Sequence, residues 1–540
     1  MNGLRASIII ATYQRHEGLR RLLGQLATQS VPADKFEAIV VDDGSIVPFE
    51  LPDGKAPYAL RLIRQSNAGP AAARHRGIEA ARGEILVVID DDMQIERDFL
   101  ERHLAAHPEG TRRAALGPII PDPGVDNLPL FEQWNAQRLD RVTRGAASGV
   151  RIRGNNMWTG NVSFRREDYL AVGGFDPALR VSEDLELGMR LEAAGVEITW
   201  ARGASAVHRS DHSNETWLRR AAVCGRIDTE VARKHPGAVH ADPWRYYYLL
   251  PRFLRPLLSL AFGWPALGAG VARGLLGMGR LLLALHFRAL AIRVAATVYA
   301  AEYFRGMRIA EGSSDACRAA RDTYLARSAE LPELPPGVPR RRAYWLRFRA
   351  HLAADHALRR RHEEHYGYAG PAGMGPVAST IQKIGVQMMT AVRLMSFFRD
   401  AGHPLLAKMT SRLIRHLYGS DVHWDAQWAP GVTLVHGFGL AISHAARVGP
   451  GCIVFQNVCL GMGIDAGTRA TGAPTLESDC HVGPGATLLG PIRIGAGTKV
   501  MAGAVLTESV PPRSLVEAPA SQVRPRKDPQ LPASDVPPDN

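Results

Sequence analysis

The chain has 540 residues, which is enough for more than two folding units of roughly 150 residues each. Its 46% of hydrophobic and 22% of charged residues are an ordinary globular balance, so large apolar cores can form. The formal net charge of +12 favours phosphates and lipid head groups as partners. Because no nucleic-acid-binding motif accompanies this charge, we expect no nucleic-acid partner.

The cysteines exclude two further classes of protein. An odd number, five, without CxxC spacing predicts neither a disulfide framework nor a zinc site, and it indicates a reduced, cytoplasmic compartment. Residues 6–12 form an apolar strand with no basic and apolar segment before it, so we expect no signal peptide.

Residues 1–240 are predicted to form an α/β domain with a Rossmann-like sheet. Apolar runs rich in β-branched residues predict strands at Ser7–Ala11, Ala38–Val41 and Ile85–Ile89. Sequence periodicity and an alanine-rich stretch predict helices at Glu17–Gln29 and Pro70–Ala81. This alternation is typical of a mostly parallel sheet between helices, which binds its ligands at the carboxyl ends of the strands.

Acidic clusters follow two of these strands. Asp42 and Asp43 follow the second strand, and Asp90, Asp91 and Asp92 follow the third. Adjacent carboxylates beside a nucleoside diphosphate require a divalent cation between them, and Mg²⁺ or Mn²⁺ prefers such oxygen ligands. Alternatively, the first cluster accepts hydrogen bonds from uracil and ribose.

A third acidic element lies at Ser182–Gly188. Ser182 is predicted to be the N-cap of a helix, with Glu183 and Asp184 in its first turn. Two interpretations stay open. Acidic side chains suit any helix N-terminus, or an ionised carboxylate held there serves as a general base.

In this order, the three acidic elements resemble the family 2 glycosyltransferases with the GT-A fold. The resemblance covers residues 6 to about 210. It extends to Ala11–Arg15, to Asn67–Pro70 with Arg74, to Gly160–Asn161 and to Gly173–Asp176. It implies inverting glycosyl transfer from a nucleotide-sugar donor.

The resemblance also implies residue roles. Asp184 is expected to be the base that deprotonates the acceptor hydroxyl. Asp90 and Asp92 are expected to hold Mg²⁺ or Mn²⁺, and His208 is either a third metal contact or a structural histidine. Asp43 is expected to contact the nucleobase or the ribose. The expected nucleotide-sugar-binding residues are Thr12, Tyr13, Arg15, Asp42, Asp43, Arg74 and Asp91.

Residues 241–329 are predicted to be helical. Pro256–Ala272 is a run of 17 residues without a charge, shorter than the roughly 20 needed to span a bilayer. Arg273, Arg280 and Arg288 are predicted to share one helix face, which suits a helix lying in a membrane interface. The alternative is a buried helical pair. The interface reading places the protein peripherally at the inner membrane face.

The remaining boundaries follow from composition. The predicted segments are a Pro-rich linker at 330–342, a helical part at 343–420, a repeat domain at 421–524 and a disordered tail at 525–540.

An aliphatic residue recurs every six positions in the repeat domain. The residues are Ile442, Val448, Val454, Leu460, Leu476, Val482, Leu488, Ile494, Val500 and Leu506. This period predicts a parallel β-helix with three short strands in each coil and aliphatic side chains inside. Residues 461–475 break the period and are predicted to extrude as a loop.

The segment from 386 to 525 resembles serine acetyltransferases and related sugar acetyltransferases of the hexapeptide-repeat superfamily. The matching pieces are Asp421–His423, His436–Gly439, Val448–Gly449, Gln456–Gly461 and Pro519–Ala520. The resemblance implies a left-handed β-helix, a homotrimer, acetyl-CoA as co-substrate, and Asp421 and His436 as a catalytic pair. The expected CoA-binding residues are Pro484, Lys499, Ala502 and Gly503.

Two departures from the serine acetyltransferase pattern bear on the acceptor. Val435 and Ala473 stand where that family has an Asp and a His that help to hold the amino acid. Because apolar side chains cannot bind an ammonium or a carboxylate group, we expect a sugar or lipid-linked hydroxyl as acceptor. Two alternatives remain. The chain could be a serine O-acetyltransferase with an N-terminal extension, or one half could be a catalytically inactive module.

Overall fold

The computed structural model describes residues 3–51, 56–147, 152–209, 212–365, 383–465 and 467–518. The chain forms two compact units. The first comprises Met1–Tyr324 with Pro335–Gly337, and the second comprises Leu325–Leu334 with Val338–Asn540. The expected Pro519–Ala520 motif and the predicted tail at 525–540 lie outside the described residues.

The first unit contains a seven-stranded sheet in the order β3-β2-β1-β4-β8-β6-β9, in which β8 alone is antiparallel to its neighbours. A second sheet has the order β5-β10-β7. The strands are β1 Ala6–Thr12, β2 Phe36–Asp42, β3 Ala59–Arg64, β4 Ile85–Ile89, β5 Met93–Ile95, β6 Arg113–Leu116, β7 Ile119–Pro121, β8 Asn161–Arg165, β9 Glu197–Trp200 and β10 Ala206–His208.

Helices cover both faces of the seven-stranded sheet. Ile8 and Ile10 of β1 pack into one apolar cluster and Ile9 packs into another, because successive side chains of a strand point to opposite faces. The helices of this part of the chain, not all of which lie on the sheet, are α1 His16–Leu26, α2 Pro70–Glu79, α3 Phe99–Ala105, α4 Leu130–Ala147, α5 Arg166–Ala171, α6 Glu183–Ala193, α7 Asn214–Lys234, α8 Trp244–Leu249, α9 Arg255–Gly263, α10 Pro265–Ala284, α11 Arg288–Glu311 and α12 Ser314–Ser328, whose last residues belong to the second unit. The mixed α/β architecture agrees with the prediction.

The uncharged run at 256–272 does not form one helix. It is divided at Trp264, and Pro265 begins α10, since proline is tolerated in the first helical turn but not in a helix interior. The predicted shared face of three arginines is wrong for Arg288. The chain turns after α10 at His286, which has a φ of 64°, and Arg288 begins α11.

Of the helices in the described part of the chain, α10 is the one long and apolar enough to cross a membrane. Its most apolar window has a mean hydropathy of 1.3, and 22% of that window is buried. The core helix of a soluble protein can have the same length and composition.

Helices α7 and α11 cross at two glycines. A Cβ on Gly225 would lie 1.9 Å from the carbonyl oxygen of Tyr303, and a Cβ on Gly306 would lie 1.9 Å from that of Ala222. The two backbones therefore touch, which fixes the separation of these helices.

The second unit begins with helices that cover the start of a β-helix. They are α13 Arg340–His365, α14 Ile384–Asp400 and α15 Pro404–Tyr418. Helix α13 begins inside the predicted linker at 330–342. The buried guanidinium of Arg393 forms a two-point ion pair with Asp355, both distances being 2.8 Å, and also donates to the carbonyl oxygen of Trp428. This pair joins α13 and α14 to the first coil.

The repeat domain is a parallel β-helix of three sheets, in the orders β11-β14-β17-β22-β25, β12-β15-β20-β23 and β13-β16-β21-β24-β26. The strands are β11 Asp421–Val422, β12 Gln427–Trp428, β13 Thr433–Leu434, β14 Ala441–Ile442, β15 Arg447–Val448, β16 Ile453–Val454, β17 Cys459–Gly461, β18 Gly463–Ile464, β19 Thr471–Gly472, β20 Thr475–Leu476, β21 His481–Val482, β22 Thr487–Leu489, β23 Arg493–Ile494, β24 Lys499–Val500, β25 Val505–Leu506 and β26 Leu515–Val516.

The predicted inward positions are confirmed, with Leu506 only partly buried. A second inward row that the six-residue count did not identify contains small side chains two positions earlier, among them Ala446, Cys452 and Ala486. Cys459 lies 18 residues after its partner Ala441, whereas Thr487 lies 28 residues after Cys459. The longer coil contains the predicted loop, which forms the antiparallel hairpin β18–β19.

Candidate functional site

A cleft of about 1500 Å³ opens at the carboxyl ends of the strands in the first unit. Ligands of sheets of this kind bind at that edge. The predicted site residues that line the cleft are Thr12, Tyr13, Arg15, Asp43, Arg74, Asp90, Asp91, Asp92, Asp184 and His208. Asp42 is the one predicted residue of this unit that does not line it.

Asp42 and Asp43 have different surroundings. The carboxylate of Asp42 accepts hydrogen bonds from the backbone N–H groups of Ser45 at 2.9 Å and Phe49 at 3.2 Å, so it organises the loop after β2. Asp43 accepts from the N–H groups of Ala68 and Gly69, each at 2.9 Å, and thereby ties this loop to the start of α2.

Strand β4 ends in a triple-aspartate turn, Asp90–Asp92, whose members contact different partners. Arg74 donates to Asp90 at 2.7 Å and to Glu183 at 2.6 Å, and the hydroxyl of Thr12 donates to Asp91 at 2.7 Å. Burial raises the pKa of Asp91 to about 7, against the effect of the Thr12 hydrogen bond.

The two oxygens of the Asp92 carboxylate have different surroundings. One oxygen accepts from Arg15 and lies 3.5 Å from Nε2 of His208, whereas the other, Oδ1, is buried without a hydrogen-bond partner. Burial by itself raises the pKa of Asp92, but the hydrogen bond and charge of His208 and the charge of Arg15 hold it below its usual range.

The described residues contain no preformed cluster of three or more His, Cys, Asp or Glu side chains that could hold a metal ion. The donor set of the turn nevertheless fits one. A buried carboxylate oxygen without a donor is unusual in folded proteins, and hard cations such as Mg²⁺ and Mn²⁺ take oxygen ligands of this kind.

Asp184 lies in the first turn of α6. Burial and the neighbouring charge of Glu183 raise its pKa to about 7, while the Leu185 N–H, Arg74 and Arg220 act in the opposite direction. A carboxyl group with a pKa near 7 can exchange a proton efficiently at neutral pH.

Ser182 precedes α6 but does not cap it, which corrects the predicted N-cap. Its backbone has a left-handed φ of 60°, and its hydroxyl donates to Asp228 at 2.5 Å instead. Tyr303 donates to the other oxygen of Asp228 at 2.6 Å. The strained turn is therefore held by a half-buried carboxylate from α7, which positions the residues that follow it.

The sequence motifs did not predict the residues on the opposite side of the cleft. We call it the helical wall, and its side chains include Trp134, Arg138, Arg141, Trp217, Arg220, Arg293 and Tyr299. These residues come from α4, α7 and α11, which are distant in sequence from the acidic motifs. No local sequence signal distinguishes them from ordinary helix surface residues.

The predicted pair of the second unit is not hydrogen-bonded in this structure. His436 is exposed beside β13 with a left-handed φ of 69°, as at the coil corners occupied by Asn457 and Asp479. Asp421 is exposed in β11 and forms an ion pair with Arg415 of α15. Among the described residues, no hydrogen bond links Asp421 to His436.

The predicted CoA-binding residues lie on adjacent coils. The N–H of Gly503 donates to the carbonyl oxygen of Pro484 at 2.9 Å, and Lys499 pairs with His481 across β24 and β21. Lys499, Ala502 and Gly503 are exposed. Of the two residues that depart from the serine acetyltransferase pattern, Val435 is half-buried and Ala473 is buried.

Residues 7–166 match the model of glycosyl transferase family 2. A validoxylamine A glucosyltransferase of Streptomyces hygroscopicus subsp. limoneus is 30% identical over 273 residues, which are 44% of this chain and 58% of that protein. A serine acetyltransferase of Synechococcus elongatus is 34% identical over 128 residues, 24% of this chain and 51% of that protein. The chain thus spans between about half and three fifths of these relatives.

A solved structure also resembles part of the chain. A mannosyltransferase of Pyrobaculum calidifontis in complex with GDP-Man and Mn²⁺ is 20% identical, with a TM-score of 0.38, over 55% of this chain and 85% of that one.

The chain therefore combines a segment similar to family 2 glycosyltransferases with a segment similar to serine acetyltransferases. Both groups of relatives are transferases.

Proposed function

We propose that the chain is a bifunctional transferase of polysaccharide or glycolipid assembly. The first unit, with a GT-A fold, transfers a sugar from a nucleotide-sugar donor with inversion to a sugar or lipid-linked acceptor. The second unit, a left-handed β-helix, transfers an acetyl group from acetyl-CoA to a hydroxyl. The observation that carries the proposal is the cleft, which collects Asp43, Asp90, Asp92 and Asp184 from three chain segments.

Donor binding is assigned to the strand ends. Asp43 contacts the nucleobase or ribose, with Thr12, Tyr13, Arg15, Arg74 and Asp91 nearby and Asp42 shaping the loop. Asp90 and Asp92, with His208 beside them, would hold Mg²⁺ or Mn²⁺ through the free oxygen of Asp92. When bound, the ion neutralises the charge that develops on the departing diphosphate.

Asp184 acts as the general base. Its carboxylate takes the proton of the acceptor hydroxyl while that oxygen forms a bond to the anomeric carbon. The bond from this carbon to the diphosphate breaks on the opposite side, so the configuration inverts. The pKa of about 7 leaves a substantial fraction of Asp184 ionised at neutral pH.

His436 is the base for acetyl transfer. It removes the proton of the acceptor hydroxyl as that oxygen attacks the thioester carbon, and the sulfur of CoA leaves. Asp421 breaks its ion pair with Arg415 and contacts the ring of His436 instead, where its charge stabilises the imidazolium. Pro484, Lys499, Ala502 and Gly503 contact CoA in the groove between the coils of a homotrimer.

Serine is the second candidate for the acetyl acceptor, because relatives of the second unit are named serine acetyltransferases. Val435 and Ala473 favour a neutral sugar instead, since neither can bind a charged amino acid group. We place the protein in the cytoplasm, in peripheral contact with the inner membrane face through α10.

The test is CoA release measured by mass spectrometry. The full chain is incubated with acetyl-CoA and either serine or a panel of sugars and nucleotide-sugars. We expect turnover with a sugar only. Turnover with serine only would assign the second unit to serine acetylation and refute the role given to Val435 and Ala473.

A further inference from the structure

The arginines on one side of the cleft form ion pairs with carboxylates, and those on the other side do not. On the strand side, Arg15 contacts Asp91 and Asp92, and Arg74 contacts Asp90 and Glu183. On the helical wall, none of the arginines makes an ion pair within the described part of the chain. These wall arginines are Arg138, Arg141, Arg220 and Arg293.

The wall arginines make only weak contacts with other side chains in the described part of the chain. Arg138 donates to the side chain of Asn135, three residues earlier, and Arg220 lies 5.8 Å from the ring centre of Trp217. All four wall arginines are exposed to solvent, so their guanidinium groups are accessible to an anionic ligand, and like charges gathered in one cleft attract such a ligand. The arginines of the strand side are already paired with carboxylates, whereas the wall arginines have no ion pair among the described residues and are available to an anion.

Arg220 lies on the acceptor side of the cleft. It is close enough to Asp184 to lower the pKa of that carboxyl group. A group bound by Arg220 therefore lies beside the base that we assign to the acceptor hydroxyl, whereas the donor diphosphate is assigned to the triple-aspartate turn.

An exposed apolar surface continues from the helical wall. On α11, Leu290 is 48% exposed, while Ile292 and Arg293 line the cleft. The surface extends back along the chain through α10 to the segment before it. Its large side chains, between 48% and 79% exposed, are Phe253, Trp264, Leu267, Leu281, Leu285, Phe287 and Leu290. Large exposed apolar surfaces mark sites of lipid or protein binding.

We propose that the glycosyl acceptor is a lipid carrying a phosphate group, with the phosphate bound by the wall arginines and the hydrocarbon chain on the apolar surface of α10 and α11. The inference rests on the proposed glycosyl transfer. Arginine suits this role because its planar fork forms paired hydrogen bonds with phosphate oxygens. Burial of the hydrocarbon chain against apolar side chains supplies the rest of the binding free energy.

Calorimetric titration of the full chain with octyl phosphate tests the proposal, with octyl glucoside and inorganic phosphate as comparison ligands. We expect octyl phosphate to bind about tenfold or more tightly than either one. Equal binding of octyl glucoside would overturn the anionic site, and equal binding of inorganic phosphate would overturn the lipid source.

Variants locate the binding. Arg220→Gln should weaken octyl phosphate binding about tenfold, because a charge-assisted pair is lost. Leu281→Ser with Leu285→Ser should reduce the preference for octyl phosphate over inorganic phosphate. The matched control is Arg226→Gln, since Arg226 lies on the same helix, exposed and paired with Glu230 outside the cleft. Loss of binding in the control, or none in Arg220→Gln, would refute the assignment.

Nucleotide binding separates failure of this inference from failure of the proposed function. The same preparations are titrated with UDP, GDP and dTDP in the presence of Mn²⁺. Nucleotide binding without octyl phosphate binding would overturn the lipid phosphate acceptor and leave the glycosyltransferase assignment standing. Absence of binding by every nucleotide would contradict the glycosyltransferase assignment itself.

Discussion

At the scale of single residues, Asp184 and its neighbour Glu183 determine the expected pH dependence of glycosyl transfer. The raised pKa of Asp184, about 7, means that the base is protonated and inactive below that pH. We therefore expect kcat/KM for glycosyl transfer to rise with pH and to level off above about 7. Glu183→Gln removes a neighbouring negative charge and should move this limb to lower pH.

Asp184→Asn is the direct test of the base. We expect a loss of about 10²–10⁴-fold in kcat, the usual contribution of general base catalysis, with nucleotide binding unchanged. A variant that keeps its activity and the acid limb of the profile would show that another group accepts the proton.

The ion pair between Asp421 and Arg415 offers a separate test in the second unit. If Asp421 supports His436, Asp421→Asn should slow CoA release strongly, while Arg415→Ala should leave it unchanged or faster, because Arg415 competes for the same carboxylate. CoA release from both variants is followed with a thiol reagent. Equal losses in the two would indicate that the ion pair itself matters, and not a pairing with His436.

Sequence motifs predicted the acids of the cleft well, because short motifs at strand ends converge at one edge of a sheet. They misjudged residues whose role depends on distant partners. Asp42 turned out to bind the backbone of its own loop, and Ser182 donates to Asp228 on α7. The wall arginines could not be predicted, because an arginine on a helix has the same local pattern with or without a carboxylate beside it.

At the scale of elements, the crossing of α7 and α11 holds the helical wall in place. Gly225→Ala or Gly306→Ala would force a methyl group against a backbone carbonyl, so we expect the free energy of unfolding to fall by about 1–3 kcal/mol. Urea unfolding measures the change. Gly277→Ala on α10 is the control, because a Cβ added there would meet nothing within 4 Å. This substitution should stabilise the helix by about 0.8–1.0 kcal/mol.

The buried ion pair of Arg393 and Asp355 plays the corresponding role in the second unit. Arg393→Met leaves Asp355 charged and buried, and should lower the free energy of unfolding by about 3–5 kcal/mol. Adding Asp355→Leu should recover much of that loss. If the single variant unfolds at the urea concentration of the wild type, the pair does not anchor α13 and α14.

Periodicity predicted the strands and the β-helix more reliably than the helices at 245–310. The six-residue period includes ten positions, and each of them independently supports the same β-helix assignment. An uncharged run has no such check. Its division at Trp264 and the turn at His286 depend on how the helices pack against one another, and the amino-acid composition of the segment does not determine that packing.

At the scale of the whole molecule, the chain consists of two compact units, and each predicted reaction is assigned to one of them. This assignment predicts independent chemistry. Asp92→Ala removes a carboxylate of the first unit, and His436→Ala removes an imidazole of the second, so each should abolish one transfer and leave the other near the wild-type rate.

The most direct test of the two-site account is mass spectrometry of nucleoside diphosphate and CoA released in one reaction mixture. It compares the wild-type full chain with the Asp92→Ala and His436→Ala variants. We predict that the wild type releases both products, that Asp92→Ala releases CoA alone, and that His436→Ala releases the nucleoside diphosphate alone. Loss of both products in either correctly folded variant would contradict two independent sites.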